Sequence, residues 1–362
     1  MTLILVVIFV ALVFEYINGF HDTANSIATV VSTKVLTPRQ AVMMAAATNL
    51  LGALWGTAVA KTIASGLVDA KVATAQVIVC ALLGAIVWNL ITWWLGLPSS
   101  SSHALVGGLC GACVAAANSW GVIVWSIPGK THWWEGKGIL WKVIVPMITS
   151  PLVGFTVGFI IMGALYFLLR NWRPVTVNRT FGKLQLFSAA YMGFSHGSND
   201  AQKTMGIIAL ALVSATTAGV FVHVPDWLAF LKLPEPEPGK SLEIAVWIKV
   251  ICALTMCAGT AAGGWRIIKT LGHKMVKLHP VHGFAAEATG ATVLLTAAHF
   301  GMPVSTTHAI TTSIMGVGCA KGFNALKMRV VNRILWAWVL TIPASGLVAF
   351  GLVKLCKACG WM

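Results

Sequence analysis

The chain has 362 residues, 57% of them apolar and 10% charged, with a mean hydropathy of +0.83 and a formal net charge of +15. A soluble domain cannot keep that much apolar surface from water, so composition excludes a soluble enzyme or binding module and points to an all-α polytopic membrane protein. The basic residues are dispersed over several loops without a basic and aromatic stripe, so no nucleic-acid partner is expected.

Leu3 to Phe14 has no basic leader and no small-residue cleavage site, and is expected to be the first span rather than a removable signal. The apolar run ends at Ile17, where Asn18-Gly19-Phe20-His21-Asp22-Thr23-Ala24-Asn25-Ser26 inserts a polar cluster. A helix broken at Asn18-Gly19 and resumed at Asp22 would place Asp22, Asn25 and Ser26 on one face near a helix N-terminus. A basic loop (Lys34 to Arg39), a span (Gln40 to Ala60) and a loop (Lys61 to Lys71) follow. Val72 to Leu97 then descends to Pro98-Ser99-Ser100-Ser101-Ser102-His103, and Ala104 to Val124 leaves it. Four hydroxyls and an imidazole cannot face hydrocarbon, where each unpaired polar group costs several kcal/mol, so this tip must be enclosed by protein or water. Trp133, Trp134 and Trp141 suit an interfacial aromatic belt, and Ile139 to Leu169 closes a first half.

Arg170, Arg173, Arg179 and Lys183 form a basic connector. Beyond it, Ser195-His196-Gly197-Ser198-Asn199-Asp200-Ala201-Gln202-Lys203-Thr204 repeats the earlier cluster at an offset of 178, with Asp200 on Asp22 and Gly197 on Gly19. Lys203 stands where the first copy has Asn25. An acidic, proline-rich loop (Pro225 to Glu243), a span to Gly263, a basic loop (Arg266 to Lys277) and a run from Val281 lead to Pro303-Val304-Ser305-Thr306-Thr307-His308. This second tip matches the first at an offset of 205. A run to Ala320, a basic loop and a last span from Ile334 complete the chain. The expected division is therefore a first membrane repeat (1–169), a cytoplasmic connector (170–183) and a second repeat (184–362).

Placing the loops at Lys34/Arg39, Arg170 to Lys183, Arg266 to Lys277 and Lys321 to Arg333 in the cytoplasm gathers 14 basic residues and no acid there. The acidic loop then lies outside. These assignments coexist only if each tip belongs to a re-entrant hairpin and each half crosses an odd number of times. That is an inverted-topology repeat with discontinuous helices, and it puts both termini outside.

Each tip would present hydroxyls and backbone N–H groups at the start of a departing half-helix, which favours an oxyanion. Ser100, Ser101, Ser102, Ser305, Thr306, Thr307 and Thr204 are the expected anion ligands, and Lys203 either touches the anion or neutralises Asp200. Asp22, Asn25, Asn199 and Asp200 offer oxygens for a coupling cation. Glu287, approaching the second tip, is a further candidate proton or cation site, with a snorkelling carboxylate as the alternative. His103 and His308 either orient the tips or touch the ligand. His21 and His196 could ligate a metal, but spacing does not require it. Anion and cation ligands together suggest symport with H⁺ or Na⁺. A membrane-embedded hydrolase is disfavoured because there is no G-x-S-x-G elbow and the polar sets occur twice. An anion channel leaves the paired aspartates unexplained. No enzymatic activity and no cofactor are expected.

The stretches Asn18 to Asn25, His196 to Lys203 and Gly301 to His308 resemble the signatures of the inorganic phosphate transporter (Pit) family, in its bacterial low-affinity branch, over essentially the full chain. The resemblance implies phosphate uptake across the bacterial inner membrane, driven by H⁺ or Na⁺, with a metal-phosphate complex as substrate in some members. It also implies a homodimer. Relatives that carry sulfate share the architecture, so a sulfate or other oxyanion symporter is the alternative.

Overall fold

A computed structural model describes residues 1–65, 67–129, 132, 135–222, 224–234 and 242–362. Trp133, Trp134 and residues 235–241 of the acidic loop therefore lie outside the described residues. The chain forms α1 (Thr2–Ser32), α2 (Pro38–Ala53), α3 (Ala58–Ser65), α4 (Ala75–Trp94), α5 (Ser101–Ala117), α6 (Val145–Leu168), α7 (Pro174–Thr217), α8 (Val246–Ala262), α9 (Trp265–Lys269), α10 (Pro280–His299), α11 (Thr306–Lys321) and α12 (Met328–Ala358). Among the described residues, β-structure is limited to two isolated bridges, Val68 with Ile123 and Ile127 with Lys137.

Among the described residues, four helices are long and apolar enough to cross a bilayer: α1, α4, α6 with the wide turn before it, and α12. Two bent pairs, α2 with α3 at 68° and α8 with α9 at 58°, bring the number to six. The expected breaks at Asn18-Gly19 and at Ser195 to Thr204 do not occur. α1 runs unbroken through Gly19 and α7 through Gly197. The glycines serve close packing instead. A Cβ on Gly19 would stand 2.7 Å from the Met256 carbonyl oxygen of α8, and one on Gly197 would stand 2.2 Å from that of Asn49 on α2. Several polar residues beside them reach sideways to other helices, as Asn25 does to Thr306 and Thr307 and His196 to Asn49, with the α-helical backbone intact.

Packing pairs recur when the halves are exchanged. α1 lies on α8 as α7 lies on α2, and the α4–α5 hairpin packs on α12 as the α10–α11 hairpin packs on α6. Each hairpin is thus held by the closing helix of the other half. Two apolar cores result, with a polar layer between them. α1 places Ile4 to Ile17 in one core and Ala24 to Val30 in the other, whereas α7 places Phe181 to Met192 in the second and Ala201 to Ala215 in the first. The two helices therefore run in opposite directions through that layer.

Both hairpins turn inside the protein. Thr270 of the turn after α9 donates its hydroxyl to the Gly96 carbonyl at 2.8 Å, and Thr62 of α3 donates to Gly301 at 2.8 Å, so corresponding latches hold the two tips.

Candidate functional site

The tips meet in the polar layer. Ser100 and Ser305 act as N-caps, their hydroxyls accepting from the backbone N–H of His103 at 3.2 Å and of His308 at 3.1 Å. The sequence takes both serines as anion ligands; the structure uses their oxygens to start α5 and α11 and aims the next residues at the centre. The two imidazoles join the tips. Their ring centroids are 4.8 Å apart and edge to face, and His308 stacks on Trp338 of α12 at 3.9 Å. Trp338 also donates to the Pro98 carbonyl at 2.9 Å.

From α1, Asn25 donates through Nδ2 to Thr306 at 3.2 Å and Thr307 at 3.0 Å. Thr307 lies 3.5 Å from Asp22 Oδ1, which is also 2.7 Å from His21 Nδ1. From α7, Asp200 accepts from Thr306 at 3.0 Å and pairs with Lys203. The Lys203 ammonium further donates to Ser102 Oγ and, at 3.0 Å, to the Val304 carbonyl. Lys203 thus pairs with Asp200 and reaches both tips. Ser101 Oγ and both amide atoms of Asn199 are buried without a partner. Asp22, Asn25, Asp200, Lys203, Ser101, Ser102, Thr306 and Thr307 are all at most 3% exposed.

Two expected residues lie apart from this cluster. Thr204 gives its hydroxyl to Glu15 of α1. Glu287 accepts from Thr29 at 2.5 Å, from Gln185 at 3.0 Å and from Ser188. Sequence reasoning passed over Glu15 although it is the one acid in the Leu3 to Ile17 run, and passed over Gln185 and Ser188, which carry no motif.

The residues that could hold a cation are Asp22, His196 and Asp200, whose donor atoms lie within 4.8 Å of one another. His196 Nε2 is 3.1 Å from Asp200 Oδ2. Its Nδ1 is 3.1 Å from Asn49 Oδ1, and the amide of Asn49 is oriented by its own donation to Thr260 at 3.0 Å. Nδ1 is therefore placed to donate to Asn49, and Nε2 faces the Asp200 carboxylate. All eight cysteines are free thiols.

Residues 18–349 match the family model described as "PHO4: Phosphate transporter family". A relative in Mycobacterium bovis named "Probable low-affinity inorganic phosphate transporter" is 42% identical over 354 residues, covering 97% of this chain and 78% of the relative. Relatives of the same name in Bacillus subtilis strain 168 and Rhizobium meliloti strain 1021 are 39% and 41% identical, covering 98% and 94% of this chain and 98% and 92% of their own lengths. A solved structure described as "The sodium-dependent phosphate transporter" superposes with a TM-score of 0.81 at 22% identity, covering 99% of this chain and 100% of the other, and so shares the fold. The chain is a multi-pass membrane protein, and it belongs to the phosphate transporter family.

Proposed function

We propose that the protein is a secondary transporter, not an enzyme, that imports inorganic phosphate by symport with H⁺ or Na⁺ through alternating access. One observation carries this reading: both hydroxyl tips, both aspartates and Lys203 converge in a single enclosed layer. Phosphate binds between Ser101-Ser102 and Thr306-Thr307. Hydroxyls and half-helix N-termini donate to its oxygens without fixed charge, so the anion can also leave. Lys203 supplies the one ammonium that reaches the tips, and the coupling cation sits between Asp22 and Asp200 with Asn25 beside it. On this reading Ser100 and Ser305 hold the shape of the tips, His103 and His308 orient them, and Asn199 offers an unsatisfied amide to the chamber.

Neutralising the cluster makes binding of anion and cation interdependent. With its imidazoles neutral, the layer holds two carboxylates against one ammonium, so the anion enters a negative chamber unless a cation accompanies it. A second reading rests on the Asp22, His196 and Asp200 group: a divalent metal travels with phosphate as part of the substrate.

The two halves are inverted copies, which the opposite directions of α1 and α7 support. The basic loops put both termini outside the bacterial inner membrane, where the protein works as a homodimer in lipid. The test is radiolabelled phosphate uptake into proteoliposomes with pH and Na⁺ gradients imposed separately. Accumulation under one gradient is expected, with counterflow under neither; sulfate competing as well as phosphate would reassign the anion, and no accumulation under any gradient would overturn symport.

A further inference from the structure

Glu15 has no part in the site as drawn, yet it is completely buried in α1. Its Oε2 accepts from Thr204, and its Oε1 has no hydrogen-bond partner. One helical turn on, Asn18 Oδ1 also lacks a donor. An ionised carboxylate enclosed with the Thr204 hydroxyl and the Asn18 amide beside it carries a large desolvation cost. A proton on Oε1 removes the charge and turns the unpartnered oxygen into an O–H donor.

The surroundings connect this carboxyl to the substrate layer. The ionisable groups that act on it are Asp200 and Lys203 of α7 and the Cys252 thiol of α8, and the nearest polar groups are Thr204 and Asn18. Thr204 adjoins Lys203, whose ammonium is shared by Asp200 and both tips. An ionised Glu15 adds a second negative charge to the surroundings of that ammonium; a neutral one leaves it to Asp200 and the tips.

Glu15 is seven residues before Asp22 on α1, and Thr29, which binds Glu287, is seven residues after it. At a rise of 1.5 Å per residue the two carboxyls flank the substrate layer about 10 Å to either side. Glu15 lies at the level of the first apolar core and Glu287 at that of the second.

We propose that Glu15 is a proton-binding site of the transport cycle, placed across the substrate layer from Glu287 and linked to that layer through Thr204 and Lys203. The proposal rests on the reading of the protein as a phosphate symporter. The proton binds Oε1 from water on the side from which phosphate enters and leaves to water on the other side, with no change in any other bond.

The experiment is phosphate transport by the purified full chain in proteoliposomes, with Glu15→Gln beside the wild type. The variant keeps the shape and the Thr204 contact but cannot exchange a proton. Expected is phosphate–phosphate counterflow within a factor of about three of wild type, with pH-driven accumulation lowered about tenfold or more, the loss of about 1.4 kcal/mol or more of driving force. An entrapped pH indicator should record phosphate-dependent proton entry in wild type alone. Accumulation by Glu15→Gln that follows the pH gradient as in wild type overturns the proposal. So does uptake driven by a Na⁺ gradient that is lost in the same variant, because Glu15 would then hold Na⁺. Absence of counterflow in the wild type would instead sink the underlying phosphate reading. Infrared difference spectra on raising the pH give a measurement free of turnover: a protonated carboxyl band present in wild type and missing in Glu15→Gln is expected, and an unchanged spectrum is fatal.

Discussion

Replacing Lys203 by methionine keeps the length of the side chain and removes its charge. In the structure the ammonium serves Asp200, Ser102 and the Val304 carbonyl, and it is 2% exposed. Without it Asp200 keeps the Thr306 hydroxyl at 3.0 Å and the His196 ring at 3.1 Å but loses its lysine partner. Breaking a buried ion pair by deleting one partner costs about 3–5 kcal/mol. Lys203→Met should therefore lose that much stability, and the loss should shrink by about 2 kcal/mol or more in Lys203→Met with Asp200→Asn, where neither charge remains. Transport should not return in the double variant, because Asp200 is also a proposed cation ligand. The assay is denaturant unfolding in detergent micelles for the four members of the cycle, with phosphate uptake measured on each. Additive losses in the double variant, or a single variant as stable as wild type, would refute the pairing.

Asp22→Asn should abolish concentrative uptake while leaving the fold intact, since the amide keeps the contacts to Thr307 and His21 but not the charge; accumulation at the wild-type level contradicts this. Ser101→Ala with Thr306→Ala removes two hydroxyls from the proposed anion site, and at about 0.5–1.5 kcal/mol each the half-saturating phosphate concentration should rise about five- to hundredfold. Gly52→Ala would set a Cβ 2.0 Å from the Phe194 carbonyl and push α2 from α7, at a cost of about 1–3 kcal/mol. Gly163→Ala, where a Cβ meets nothing within 4 Å, is the neutral control, and equal unfolding midpoints would refute the close-packing argument. Thr270→Val and Thr62→Val each delete a latch on a hairpin tip, worth about 0.5–1.5 kcal/mol, and should speed amide exchange at residues 95–100 and 300–304 respectively.

Much of the site was legible because lipid leaves so few readings for a run of hydroxyls. Pro98 to His103 and Pro303 to His308 had to be enclosed, and their recurrence pointed to a common chamber, which the His103 and His308 rings now mark. The breaks were misplaced for a physical reason. Asn18-Gly19 and His196-Gly197 have the composition of a helix stop, but a glycine spends its missing Cβ either on an unusual backbone angle or on close approach, and only the neighbouring helix decides which. Here Met256 and Asn49 decide it. The actual bends fall between α2 and α3 and between α8 and α9, where no run of polar residues gave notice. Glu15 escaped because a single acid in an apolar run reads as an interruption, and its partner Thr204 lies 189 residues away.

The backbone repeats more faithfully than the side chains, and the difference has a use. Gly259 approaches the Tyr16 carbonyl as Gly52 approaches that of Phe194, and the latches Thr270 and Thr62 correspond. Yet beside one latch Arg266 donates to the Trp94 carbonyl at 2.7 Å and lies over the rings of Trp93 and Trp94, with Phe20 edge-on to Trp93 at 5.4 Å. At the corresponding place in the other half stand Ala58, Ala298, His299 and Ser198, with Trp55 and Phe194 beside them, and a crevice of about 390 Å³ remains. A scaffold with equivalent halves offers two conformations of similar energy, as alternating access requires. On the proposed reading, filling one flank with an arginine while leaving a crevice in the other separates those energies without disturbing the backbone that makes both reachable. Asn25 against Lys203 and Gly193 against Glu15 do the same for charge. On the proposed reading, the Lys203 ammonium and the Glu15 carboxyl, each without a counterpart in the other half, make the two conformations differ in how they hold an anion and a proton, so that a gradient of one drives the other.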